Sequence, residues 1–323
     1  MTVCEKCLAR SAPTGVGGSG DGQGATILRK GTAICRHDPS YPPALAQLAG
    51  APAILCATCR GRRLGELLAT PTVALVGEPF YSDYAHRVAY RLAAELAEAG
   101  TTVTAVLREG IDSIALDGAL CAHGPTLAIR PTATTPGAPR HSGRPGLDRL
   151  HARVAATGAV VWGAPPSARG PGPTSSRHVG AALGRPMHAD PGRARRASLI
   201  EARRLLAAIA RVVVVVEARK RSIALFTAEL AADLGHDVAV IPGRVTDQGG
   251  HGTFELLRDG AHPVRDAGDV LELIGRSRLH AMRSPATHSA AWTSRNEPSS
   301  AEPSRRHGPQ RALRDSNSRP SVT

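Results

Sequence analysis

The sequence predicts an α/β protein with a Rossmann-like, doubly wound and mostly parallel sheet covered by helices on both faces. Three observations predict it. Val212–Val216 is an unbroken run of five valines ending in Glu217-Ala218, and a continuous apolar run bounded by charge marks a strand buried on both faces. From residue 71 onward, strand-like and helix-like stretches alternate, the pattern of successive βαβ units. With 323 residues and 42% hydrophobic content, the chain can bury a full core.

The elements follow in order. Residues 1–36 read as a flexible segment, rich in Gly, Ser and Thr over 11–30. Residues 37–275 form the expected domain, and the stretch up to 70 leads into its core. Val73–Gly77 is strand-like, and His86–Ala99 is helical with Val88, Leu92 and Leu96 on one face. Thr102–Leu107 and Thr126–Arg130 are strand-like and flank a helix over Ile111–Ala122. Leu147–Thr157 is helical, Ala159–Trp162 strand-like, and Ala197–Ile209 the helix that leads into the valine strand. Ser222 caps the next helix, on which Ile223, Phe226, Leu230 and Leu234 form one apolar stripe. Gly235 ends it, and Asp237–Ile241 is a further strand closed by Pro242-Gly243. The turns after these strands share one edge, where open parallel sheets bind ligands. Two interruptions, 131–146 and 165–198, are rich in Pro, Gly and Arg, and loops of that length are functional or disordered. Residues 276–323, rich in Arg, Ser and Pro, read as a disordered tail.

Composition narrows the function. A formal charge of +13 and a pI near 10.5 favour polyanionic partners, although much of the arginine excess falls in the segments that read as unfolded. Aromatic residues make up 3% of the chain, which speaks against a platform for stacking nucleic-acid bases. The N-terminal MTVCEKCLAR has no apolar signal region and no apolar run reaches membrane-spanning length, so a cytoplasmic protein away from membranes is expected. Two CxxC pairs, Cys4/Cys7 and Cys56/Cys59, could supply four thiolates to a structural zinc. The gap between them is far longer than in zinc ribbons, and the expectation is no cofactor. Cys35 and Cys121 have no partner pattern.

Glycine-flanked helix N-termini bind phosphate because their free N–H groups point at the ligand. VGEPFYSDYA offers Gly77 and Ser82 in such a turn, and LREGIDSIALDGAL offers Arg108, Gly110 and Asp112. Together with HDPSYPPAL, GPTLAI (with Thr126), EARKRSIALFTA (with Lys220 and Ser222), VAVIPG (with Gly243) and GTFELLRDGA (with Gly252), they form an ordered series. That series resembles the DprA/Smf family of DNA-processing proteins from about residue 37 to residue 274. The resemblance implies a Rossmann-like fold that binds single-stranded DNA and loads the RecA recombinase during natural transformation. It further implies a homodimer and no covalent chemistry.

Departures from the family pattern fall at polar pocket positions. The arginine of the first turn is Pro79, the S-G pair of the second is Ala105-Val106, and a histidine of the following helix is Leu116. S-E is Trp162-Gly163, R-N-R is Ala202-Arg203-Arg204, a glycine is Ile223 and an asparagine is Phe254. Framework positions are kept while site positions change, so weakened binding is expected. Arg108, Arg203, Arg204, Arg219, Lys220 and Arg221 remain to present charge at the ligand edge, with solvated surface as the alternative for Arg203 and Arg204.

A second reading comes from a different class. GGHGTFE, Gly249 to Glu255, resembles the P-G-G-x-G-T-x-x-E motif of the lysine-decarboxylase-like phosphoribohydrolases. The position of their closing glutamate is Leu256, with Glu255 one residue early, and a leucine cannot stabilise a developing oxocarbenium ion. A third reading is a nucleotide sensor or a scaffold that contacts only protein partners.

Overall fold

Apolar runs and amphipathic stretches assemble into one sheet with helices on both faces. The structure is a computed structural model, and it describes residues 33–60, 64–131, 144–163 and 191–283. Its strands are β1 (Ala33–Cys35), β2 (Ile54–Cys59), β3 (Thr72–Gly77), β4 (Thr102–Val106), β5 (Thr126–Ile129), β6 (Ala159–Gly163), β7 (Val212–Glu217), β8 (Asp237–Val240) and β9 (His262–Pro263). The helices are α1 (Pro43–Gln47), α2 (Leu64–Ala69), α3 (Asp83–Glu98), α4 (Ile111–Cys121), α5 (Pro145–Thr157), α6 (Pro191–Ile209), α7 (Ile223–Asp233), α8 (His251–Arg258) and α9 (Ala267–Arg283).

The strand order is β1-β2-β6-β5-β4-β3-β7-β8-β9. From β6 to β9 every pairing is parallel, while β2 joins β6, and β1 joins β2, antiparallel. The chain winds outward from β3 through β4, β5 and β6, then crosses back along α6 to start again at β7 on the other side of β3. The gap between the ends of β3 and β7 is therefore the topological switch point, where such sheets open a crevice beyond their carboxyl ends.

The valine run behaves as its composition dictates. Val213 and Val215 enter one core with α6 and α7; Val212, Val214 and Val216 enter the opposite core with α3 and α9. Each is buried, and a buried side chain of this size contributes roughly 1.5–3 kcal/mol through lost water contact.

Four expectations change. The buried face of α7 is Ala224, Leu225, Thr227, Ala228 and Ala231, whereas Phe226 is exposed and Leu230 and Leu234 only border the core. Small residues face the sheet there because the helix lies close against it. Residues 33–35, placed in the flexible segment, instead add β1 to the sheet edge. Helix α6 begins at Pro191, a favoured first-turn residue, inside the stretch read as a loop. Helix α9 continues past residue 276 to Arg283. Residues 1–32, 132–143, 164–190 and 284–323, which include most of the expected N-terminal segment, loops and tail, lie outside the described residues.

Candidate nucleic-acid interface

The switch point is built from turns that press on one another. A Cβ on Gly77 would lie 2.9 Å from Ile111, and one on Gly110 would lie 2.5 Å from the Glu78 carbonyl oxygen. Gly110 has φ 111, a conformation that side chains other than glycine's seldom allow. The turns after β3 and β4 thus lie in contact, and the Ile111 N–H donates to the Glu78 carbonyl at 3.1 Å. On the other side, Gly252 of α8 approaches the Ala218 and Arg219 carbonyls, each 2.8 Å from where its Cβ would be. Gly243 packs against Gly250 in the turn after β8. These four glycines admit close backbone approach at the ligand edge.

Ser82 is the N-cap of α3, its Oγ accepting from the Ala85 N–H. Its own N–H and Oγ–H both donate to Oε2 of Glu217, at 3.0 and 2.9 Å. Ser82 therefore does donate to an anion, and that anion is the chain's own carboxylate at the end of β7. Glu78 is engaged as well, its Oε1 accepting the Arg219 N–H at 2.8 Å. Between these residues opens a shallow cleft of about 480 Å³, lined by Pro79, Phe80, Tyr81, Ser82, Glu217 and Arg219.

The cations divide into two groups. Arg219, Lys220 and Arg221 are exposed in the β7–α7 turn, with Arg221 at φ 60. Lys220 pairs with Glu255 at 3.1 Å; the Arg219 and Arg221 side chains have no ion-pair partner among the described residues. Ser222 follows as the cap of α7, accepting from the Ala224 N–H at 3.1 Å. Arg108 lies half-buried after β4, where burial, and then the nearby Arg203 charge, lower its pKa against the pull of Asp112. One of its terminal nitrogens is buried without a hydrogen-bond partner.

Three expected contact residues are internal. Arg203 and Asp112 are both 0% exposed and form an ion pair at 2.7 Å, with Asp112 also accepting the Val106 N–H at 3.3 Å. They brace the turn from below and have no surface for a ligand. Arg203 is thus neither a contact nor a solvated residue, because its helix face turns into the core. Thr126 is buried at the start of β5, at the opposite end of the strand from the ligand edge, and donates to the Gly124 carbonyl at 3.1 Å. Arg204 reaches the Ala49 carbonyl and lies 3.9 Å from Glu201, so it ties α6 to the loop after α1.

What sequence reasoning missed is aromatic. The few aromatic side chains are not spread evenly: Phe80 is 79% exposed, Tyr81 42% and Tyr84 38%, all around the β3–α3 turn. Tyr81 stacks on His86 with ring centroids 5.9 Å apart, and the Tyr84 hydroxyl donates to the Pro242 carbonyl at 3.2 Å. The signal was the adjacent Phe80-Tyr81 in a turn at the ligand edge, hidden by averaging over the chain. Farther along that edge, Arg130 lies over the Trp162 ring, 4.1 Å from its centroid.

The second CxxC pair lies on a strand and does not form a knuckle. Cys56 and Cys59 lie on β2, three residues apart, so their side chains point to opposite faces: Cys56 packs with Trp162 and Cys59 borders the other core. Burial pushes the Cys56 thiol up to about 11, with Arg130 opposing. Cys4 and Cys7 lie outside the described residues. Leu256, at the hydrolase glutamate's position, is buried in the core.

The chain is similar to known proteins in sequence and fold. The profile of the family described as DNA recombination-mediator protein A matches residues 32–169 and 189–275. A DprA-type DNA processing protein of Mycobacterium tuberculosis is 35% identical over 213 residues, 66% of this chain and 47% of that protein. Protein Smf of Escherichia coli is 28% identical over 234 residues, 72% of this chain and 54% of that protein. The chain thus spans about half the length of these relatives. Among solved structures, DprA of Streptococcus pneumoniae superposes with a TM-score of 0.58 at 25% identity, covering 77% of this chain and 76% of that one. DNA processing protein A of Helicobacter pylori, studied for its single-stranded DNA binding mode, gives 0.54 at 21% identity over 76% of this chain and 96% of that one, a likeness of fold alone. No described helix is long and apolar enough to cross a membrane.

Proposed function

Given that the chain belongs to the DNA recombination-mediator protein A family, we propose that it is a DNA-processing protein that binds single-stranded DNA at the switch point, without covalent chemistry. The observation that carries the reading is the exposed β7–α7 turn. Arg219 and Arg221 are unpaired there among the described residues, one of them on the wall of the cleft. Cations free of internal partners at a ligand edge suit a polyanion, and such binding weakens as salt rises because phosphate contacts release counterions. By family likeness the bound strand is handed to the RecA recombinase, and the protein acts as a homodimer in DNA uptake.

Anisotropy of a fluorescein-labelled oligo-dT, measured across a salt series, tests the reading. Wild type is expected to bind saturably at low salt. The Arg219→Ala/Arg221→Ala variant is expected to bind more weakly, with a salt slope lower by about 0.7 for each phosphate contact removed. Absence of saturable binding by wild type sinks the proposal. Retention of RecA on immobilised protein–oligonucleotide complex tests the partner, and equal recovery from beads without the protein rejects it.

A further inference from the structure

We infer that Phe80 is a base-stacking platform, so that this cleft grips a nucleotide by its base and leaves the phosphates to the rim. The inference rests on the single-strand reading above and names the part of the strand the site recognises.

Three features point the same way. The first is the ring itself. Phe80 is 79% exposed, an unfavourable place for a side chain of this kind, and its turn holds it firmly. Pro79 fixes the backbone before it and rests on Gly110. Ser82 is fastened behind it by two hydrogen bonds to Glu217. Tyr81 is backed by His86. A ring presented on a rigid turn loses little freedom on stacking.

The second feature is the floor. The N–H of Ser82 at the start of α3, the place where a phosphate would ordinarily be received, is taken by the Glu217 carboxylate. Gly249 packs directly against that carboxylate. Glu78 adds a second carboxylate, held by the Arg219 N–H. The Glu217 carboxylate on the cleft lining, with Glu78 close by at the Arg219 N–H, repels phosphate, whereas a base carries no charge and has a π-face that any aromatic ring can meet.

The third feature is the rim. Arg219 lines the same cleft as Phe80, and Arg221 follows two residues later, exposed. The arrangement, a ring inside and cations beside it, complements a nucleotide with its base inward and its phosphates outward. A protein partner has no such need for flanking cations unless it is acidic.

Two oligomers of equal length and charge test the inference on the full chain: fluorescein-labelled oligo-dT and a labelled abasic deoxyribose spacer. Wild type is expected to bind oligo-dT about tenfold more tightly than the spacer, within the range that one stacked base supplies. Phe80→Ala is expected to lose that preference while keeping the salt slope of wild type. Phe80→Trp is expected to keep it, with tryptophan emission quenched by oligo-dT, relative to wild type, and not by the spacer. Equal binding of the two oligomers by wild type overturns the inference and leaves the single-strand reading standing. Phe80→Ala with its base preference intact also overturns it, as a patch serving a protein partner would. Wild type that binds neither oligomer removes both proposals.

Discussion

Arg203 and Asp112 lie 2.7 Å apart with no exposed surface, and Arg203 leaves two further guanidinium nitrogens without partners. Taking one member of such a pair away strands a charge in the core, which costs about 3–5 kcal/mol. Arg203→Met is therefore expected to lower the denaturant midpoint sharply, and Asp112→Leu/Arg203→Met to recover most of the loss. Equal instability of the single and double variants would refute this account. The consequence for function is practical: weakened DNA binding in an Arg203 variant would report folding, not contact. The sequence hid this pair because an arginine beside Arg204 looks like surface, and its partner lies 91 residues away. Ser82 and Glu217 were legible as residues at strand ends, but their mutual bond spans 135 residues and needed the sheet to bring it about. The Phe80-Tyr81 dipeptide was in plain view; its exposure depends on the turn, which composition does not describe.

At the scale of elements, the β3–α3 turn is shaped by its neighbour as much as by its own residues. Gly110 supports it from the β4–α4 turn with a positive φ and contact to Glu78 and Pro79. Gly110→Ala combines a strained backbone with a clash, costing on the order of 1–3 kcal/mol. It is expected also to shift Pro79 and weaken oligonucleotide binding. Gly100, at φ 78 with open space around it, supplies the control: Gly100→Ala is expected to cost stability alone. Comparable loss of binding in both variants, per unit of stability lost, would show that the support is not specific. The strands from β3 to β8 were readable because each is an apolar run between polar turns. β1 was not, being three residues long, and β2 was masked by its cysteines, whose CxxC spacing suggested a ligand when period-two alternation along a strand governs them. The apolar stripe on α7 failed for a packing reason. Large side chains dominate a reading of hydrophobicity, but a helix lying close to a sheet buries alanines and leaves a phenylalanine outside.

For the molecule as a whole, the +13 charge sets the long-range field, while the proposed strand site lies at the switch point. Strand order fixes that point between β3 and β7, something no local pattern in the sequence reveals, since it depends on the crossover from β6 back to the centre. The same strand order has another consequence, for self-association. The sheet ends in β1, three residues long, and in β9, two residues long and closing on Pro263. Proline offers no N–H, and very short border strands give a neighbouring chain little backbone to zip onto. Two copies are thus expected to meet through helices or loops, leaving hydrogen exchange of the β8 and β9 amides unchanged between dilute and concentrated protein. Slowed exchange there on concentration would reveal pairing across the sheet border. If the proposed strand binding holds, such borders would keep a chain laid along an extended, flexible polymer from fusing its sheet with that of its own copies.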